Sequence, residues 1–273
     1  MYTYQGKTAL ITGASSGIGE AFAQGLAARG MNVILVARSE TILNTLAQKL
    51  DEQYHVRTTV IPADLSHLDA SATIKERVQE LGLQVDLLVN NAGFGTYGHF
   101  ETLDAQRDRE EVLVNVAAVV DLSHAFLPAM FERGEGAIIN VASTASFQPA
   151  PYMAIYGASK AFVLSFSAAL WAEYRKHGIR VVALCPGPVE TQFFRDIDTH
   201  GVDVTVGQKP TPIQQVVQRG LYGLEHGHCY TIPGQSNKIL VMISQLMPYA
   251  LKARMGETMV RPRAAKKVTS GAV

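Results

Sequence analysis

The feature that most constrains this chain is a strict alternation of short, continuously apolar runs with segments long enough to be helices. The runs are Thr8–Thr12, Asn32–Ala37, Thr58–Ala63, Asp86–Asn91, Gly136–Ser143, Ile179–Gly187 and a short one at Cys229–Gly234. They lack the every-other-residue polarity of a half-exposed strand, so they read as strands covered on both faces of a parallel sheet. Between them lie Gly17–Arg29, Glu40–Glu52, Asp69–Leu81, Leu103–Arg133, Tyr156–His177 and Thr211–His226. Each is long enough to carry the chain back for a parallel return. The order predicts an α/β fold: a doubly wound parallel sheet of about seven strands.

The first strand leaves through "TGASSGIG", Thr12 to Gly19, into the first helical pattern. Gly13 can make the tight turn, Gly17 lets backbone approach a pyrophosphate, and Gly19 lets helix and strand pack closely, while the helix N-terminus offers N–H groups and partial positive charge. A glycine-rich turn alone is a weak signal; after the first strand of an alternating chain it points to a Rossmann-type dinucleotide site. The second strand ends in Ala37 followed by Arg38, where an acidic residue would hydrogen-bond a ribose 2′-hydroxyl. An arginine fork meets a 2′-phosphate instead, so NADP(H) is the expected cofactor.

Composition narrows the function classes. The 24 Lys+Arg balance 24 Asp+Glu, leaving no overall basic field for nucleic acid. Cys185 and Cys229 have no metal spacing and are too few for a disulfide scaffold, which suits a reducing cytosol. His99, His124 and His228 show neither zinc nor Ser/His/Asp spacing, so no metal is expected. The N-terminus enters a strand pattern without a secretory leader, and a cytoplasmic location is expected. "ILVMISQLMPYAL", Ile239 to Leu251, is too short to span a bilayer but could lie against a membrane or cap a pocket. No linker divides the chain. Residues 1–234 are expected to form one NADP-binding catalytic domain, with 235–273 its C-terminal helical extension and basic tail, where Arg261, Arg263, Lys266 and Lys267 read as solvated.

"TGASSGIG", "NNAG" at Asn90–Gly93, Ser143, "YGASK" at Tyr156–Lys160 and "PGPVET" at Pro186–Thr191, in this order and spacing, resemble the short-chain dehydrogenase/reductase family, in its shorter single-domain branch. The resemblance runs through about Gly234. It implies cofactor contacts from Gly13, Ser15, Ser16, Gly17, Ile18 and Gly19, from Asp64 and Leu65 at the adenine, and from Asn91, Ala92 and Gly93 beside the ring system. It also implies contacts from Tyr156 and Lys160, and from Pro186, Gly187, Val189 and Thr191, the last at the nicotinamide amide. Asn115 looks like the helix asparagine whose local distortion holds a water near the lysine. A homodimer or homotetramer is implied as well, and "VAAVV" and "AFVLSFSAALWA" are apolar enough to supply the interface.

Tyr156 and Lys160 are four apart and share a helix face, though that spacing is common by chance. In company with Ser143 and Asn115 it becomes a catalytic set. Tyr156 would exchange a proton with a carbonyl or alcohol oxygen, its pKa lowered by the Lys160 ammonium and an oxidised nicotinamide. Ser143 would stabilise charge on that oxygen, and Lys160 would orient the ribose. Phe147, Met153, Phe193 and Phe194 are expected to build an apolar pocket for a lipophilic ketone or aldehyde. The expected function is an NADPH-dependent reductase, reversible as a dehydrogenase, and the alternative is a non-catalytic NADP(H)-binding regulatory or scaffold protein.

Overall fold

A computed structural model of the chain describes residues 2–191, 205 and 209–262. Seven parallel strands form one sheet in the order β3-β2-β1-β4-β5-β6-β7. They are β1 Thr8–Thr12, β2 Asn32–Ala37, β3 Thr58–Pro62, β4 Leu87–Asn90, β5 Gly136–Val141, β6 Ile179–Leu184 and β7 Tyr230–Thr231. The strand order reverses between β1 and β4, which opens a crevice at their C-terminal ends. Strands β3 to β7 end earlier than the apolar runs do, because the following residues leave the ladder on the side of that crevice. Pro62 is tolerated in β3 because β3 is an edge strand.

Helices α1 Gly17–Ala27, α2 Glu40–Tyr54, α3 Ala70–Glu80, α4 Ala105–Val112, α5 Ala118–Arg133, α6 Ala154–Tyr174 and α7 Ile213–Glu225 cover both faces. Successive strand residues point to opposite faces, so neighbours in sequence enter different cores. Ile11 and Val89 pack with Phe22, Leu26, Leu43 and Leu221 on one side. Leu10 and Leu88 pack with Ile74, Leu122, Phe126 and Met130 on the other. Each fully buried side chain of this kind stabilises the fold by about 1.5–3 kcal/mol.

One expectation changes form. The single long helix over Leu103–Arg133 is two helices joined by a π-helical turn at Leu113–Ala117, which contains Asn115. The extension after Gly234 forms α8 Gln235–Gln245 and α9 Tyr249–Val260. Buried Asn237 anchors α8 by donating to Pro233 O at 2.9 Å and Thr211 Oγ1 at 3.3 Å. On α9, Lys252 Nζ donates to Phe147 O at 3.2 Å. The Tyr97 hydroxyl donates to Val260 O at 2.7 Å, and the Tyr152 hydroxyl to Glu257 at 3.1 Å.

Gly19 sits where α1 crosses the first turn, and a Cβ there would overlap Gly13 O and Asn91 Nδ2. Gly19→Ala is expected to lower the unfolding free energy by about 1–3 kcal/mol, read from the urea midpoint at unchanged m-value.

Candidate active site

One cleft of about 1160 Å3 runs along the C-terminal ends of the strands. Its volume exceeds a single drug-sized pocket and suits a dinucleotide with a second molecule beside it. At one end lie Gly13 and Ser15 through Ile18, with Arg38, Asp64 and Leu65; at the other lie Ser143, Tyr156, Lys160 and Met153. Asn91 to Gly93 and Pro186 to Val189 with Thr191 form the walls between. Gly19 and Asn115 lie behind this surface, Asn115 fully buried.

The glycine turn is held by its neighbour strand. The Thr12 hydroxyl accepts from Asn91 N and Ala92 N, each at 3.0 Å, and Asn91 Nδ2 donates to Thr12 O at 2.9 Å. Gly13 and Gly17 both have left-handed backbone, at φ 65° and 57°. Such a conformation favours glycine. Ser16, the residue before α1, makes no side-chain cap bond, so the first N–H groups of the helix are left to the cleft. Uncapped N–H donors, a turn without Cβ atoms and a cleft of this size fit a dinucleotide pyrophosphate.

At the far end of β2, Arg38 is exposed, and it makes no hydrogen bond or ion pair with any described residue. Burial pushes the Asp64 carboxyl up, but hydrogen bonds from Ser66 N and Oγ at 3.0 and 2.8 Å, with the Arg38 charge, hold it below the ordinary carboxylate value.

Tyr156 lies in the first turn of α6. Its phenol shares a hydrogen bond with the Ser143 hydroxyl, yet burial pushes its pKa to about 12, helped by the Glu111 charge. The shift is upward, so the Lys160 ammonium alone does not produce the expected lowering. The Lys160 ammonium sits 5.8 Å from the Tyr156 ring centre and donates to Val141 O at 2.9 Å. Burial lowers Lys160 itself to about 8. Ser143 has two roles: its hydroxyl accepts from Ala145 N at 3.1 Å, capping the turn Thr144–Phe147, and it also meets Tyr156. Ser146 supports both groups, donating to Lys160 O at 2.7 Å and accepting from Ser143 N at 3.3 Å.

Asn115 Nδ2 donates to Phe94 O at 2.8 Å and to Ser159 Oγ at 3.1 Å, while Asn115 Oδ1 accepts from Phe94 N at 3.1 Å. Ser159 in turn donates to Tyr156 O at 2.8 Å. A Cβ on Gly93 would fall 2.8 Å from Asn115 Oδ1 and 3.2 Å from Lys160 Nζ, so only glycine fits between them.

One pocket assignment changes. Met153 lines the cleft, but Phe147 turns away, packing against the Tyr230 ring at 5.6 Å between centres and a core that includes Val163 and Cys185. Phe193 and Phe194 lie outside the described residues, as do Arg263, Lys266 and Lys267. The far wall comes from α8 and α9, through residues such as Leu240, Ile243, Met247, Met255 and Met259. Among the described residues no cluster of metal-binding side chains occurs.

Sequence reasoning missed Glu111, one helical turn before Asn115. It is fully buried; Oε2 accepts from Thr96 N at 2.9 Å and lies 3.0 Å from the Thr96 hydroxyl, while Oε1 has no hydrogen-bond partner among the described residues. Asn115 therefore grips Phe94 and Glu111 grips Thr96, fixing the wall beside the tyrosine. A polar residue on the inward helix stripe, at i−4 from Asn115, was the available signal.

The fold and the cleft define a dinucleotide-binding α/β protein with a Ser, Tyr, Lys and Asn constellation at its switch point. The family model described as "short chain dehydrogenase" matches residues 7–201. The chain belongs to the short-chain dehydrogenase/reductase family. It is 38% identical over 214 residues to a very-long-chain 3-oxoacyl-CoA reductase of Anas platyrhynchos, covering 76% of this chain and 65% of that one. It is 39% identical over 189 residues to a human protein named inactive hydroxysteroid dehydrogenase-like protein 1, covering 68% and 57%. The chain thus matches somewhat under two thirds of the length of these relatives. A solved short-chain dehydrogenase from Sphingobium yanoikuyae, in complex with NADPH, superposes with a TM-score of 0.77 at 32% identity, covering 96% of this chain and 98% of that one.

Burial raises the Glu111 carboxyl from its ordinary value of 4.5 to about 7, against the lowering pull of Thr96 and Lys160. Between those pH values the folded protein holds a proton that the unfolded chain has released, so this group's contribution to stability falls as pH rises. Glu111→Gln removes that slope. Its unfolding free energy relative to wild type is expected to improve by roughly 3 kcal/mol between pH 4 and pH 8, measured by denaturant titration at each pH.

Proposed function

We propose that the protein is an NADPH-dependent reductase, reversible as a dehydrogenase, acting on a lipophilic ketone or aldehyde. The observation that carries this reading is the meeting of Ser143 and Tyr156 hydroxyls in one cleft with Lys160 and the glycine turn. Bound NADPH supplies the hydride to the carbonyl carbon. Tyr156, whose pKa of about 12 keeps it protonated at neutral pH, donates its proton to the carbonyl oxygen. Ser143 donates a hydrogen bond to the same oxygen and stabilises its developing charge. Lys160 holds the ribose edge, and Asn115 with Ser159 fixes the helix that carries the tyrosine.

The preference for NADPH rests on Arg38, whose open guanidinium at the end of β2 suits a 2′-phosphate. The preference for a lipophilic substrate rests on the apolar part of the lining, where Met153 packs with Tyr156 and Leu240, Ile243 and Met259 line the same cleft. Partly exposed apolar residues on α5 and α6, including Phe131 and Phe162, suit the contact of a homodimer or homotetramer. The complete set of four polar groups favours an enzyme over a cofactor-binding scaffold.

Tyr156→Phe is expected to bind NADPH as wild type does, by fluorescence titration, while losing at least about a hundredfold in turnover on a panel of graded ketones and aldehydes. Full turnover by the variant would refute the assigned acid, and NADPH binding with no wild-type turnover on any carbonyl would favour the scaffold. Arg38→Asp is expected to reverse the preference between NADPH and NADH, read as the ratio of kcat/KM values; an unchanged ratio would sink the phosphate assignment.

A further inference from the structure

The last two helices present an apolar surface that the fold does not use. Nine of the eighteen large apolar side chains exposed among the described residues fall between Ile239 and Met259. Scattered exposure of this kind is ordinary, but such clustering marks an interaction surface. Met242 is 58% exposed, Leu246 88% and Tyr249 70%, so the patch is centred on the bend between α8 and α9.

The charge of the same segment points to the occupant. Residues 235–273 contain seven Lys or Arg and one acid, Glu257, a net charge of +6, while residues 1–234 contain 17 basic and 23 acidic residues, a net charge of −6. Lys238, Lys252, Arg254 and Arg261 are on the described helices or just beyond them; the other three follow in the sequence. Glu257 pairs with Arg261, so the only acid is already neutralised. Leu240, Ile243 and Met259 are exposed and line the cleft as well, so the patch and the cleft mouth share residues.

We propose that α8 and α9 dock on an anionic phospholipid bilayer, with Leu246 and Tyr249 entering the interface and the exposed Lys238 and Arg254 meeting lipid phosphates. The acidic body is repelled from such a surface, so the two halves of the charge distribution orient the protein with its cleft toward the lipid. Neither α8 nor α9 spans the bilayer, so the attachment is peripheral and reversible. If the lipophilic substrate proposed above is correct, it reaches Tyr156 from the bilayer along the Met and Leu wall; this consequence rests on that reading, whereas docking does not.

The test is flotation of the full chain with phosphatidylcholine vesicles, with and without about one third phosphatidylserine. Binding is expected to the anionic vesicles, to weaken at least tenfold in about 1 M salt, where the Debye length is about 3 Å, and to weaken at least tenfold in the double variant Met242→Glu/Leu246→Glu. Neither residue lines the cleft. The thermal midpoint and NADPH affinity of the variant are expected to stay at wild-type values, which separates lost docking from lost folding. A second variant, Lys238→Glu/Arg254→Glu, keeps the apolar patch and is expected to lose the preference for anionic vesicles. No vesicle binding by wild type, or equal binding to both lipid mixtures, overturns the proposal. So does light scattering in which Met242→Glu/Leu246→Glu dissociates an oligomer without changing vesicle binding, since the patch is then a subunit contact. All these readouts are independent of turnover, so failure of the reductase assignment is separately visible.

Discussion

The Thr12 hydroxyl is the joint between the sheet and the cleft. A parallel sheet brings every strand C-terminus to one edge, and there the backbone groups of the last residues lose their ladder partners. At the switch point between β1 and β4, one buried hydroxyl accepts two of those N–H groups, and the Asn91 amide returns bonds to Thr12 O and Gly13 O at 2.9 and 3.3 Å. A Cβ on Gly13 would lie 2.8 Å from Asn91 Nδ2, so the close approach depends on that glycine. The turn that would hold a pyrophosphate and the wall beside the nicotinamide site are thereby one rigid unit. Lys160 forms the counterpart across β5, joining α6 to the end of that strand through Val141 O.

Burial is the dominant electrostatic influence in this cleft. It raises Tyr156 to about 12 and Glu111 to about 7, and lowers Lys160 to about 8, so each group is driven toward its neutral form. The attraction between Lys160 and Glu111 opposes these shifts without overcoming them. For a carbonyl reduction the outcome is favourable at the tyrosine, because the protonated phenol is the form consumed. Glu111 then contributes geometry as much as charge, since its carboxyl fixes Thr96 on the loop that begins at Gly93.

The parts of this architecture legible in the sequence are those set by local pattern. Apolar runs located all seven strands, and residues two apart sort onto common faces, Ala9 and Ile11 in one core and Leu10 between them in the other. The glycine turn and the Tyr–Lys spacing depend on a few adjacent residues, and both open onto the cleft. Features that depend on distant packing were hidden. The distortion at Leu113–Ala117 was implied only by the family resemblance; its physical basis is Asn115 bonding across to Phe94 and Ser159, 21 and 44 residues away. Phe147 looked like a pocket residue by its position after Ser143, but the Tyr230 ring, brought alongside by β7, draws it into packing. The upward pull of burial on the tyrosine was missed for the same reason: spacing shows that a lysine is near, and only the folded cleft shows how much water is excluded.

The C-terminal helices differ from the sheet-covering helices in what they turn outward. On α2 the outer positions are Asn44, Thr45, Gln48, Lys49, Asp51 and Glu52, against one exposed isoleucine, Ile42. That is the polarity expected of a helix with one face in the core and the other in water. On α8 the buried positions are Asn237, Val241 and Ser244, and the exposed ones mix Gln235, Ser236, Lys238 and Gln245 with Ile239, Leu240, Met242 and Ile243. Two of the three buried positions are polar, with Asn237 bonded to Pro233 O and Thr211 Oγ1 and packed close to Gly187, while half of the exposed positions are apolar. Stability of the roof alone would be met by the usual arrangement, with hydrophobic residues on the body. The apolar part of that exposed face is what the proposed bilayer docking would cover, next to the mouth of a cleft lined by Leu240, Ile243 and Met259 from the same helices.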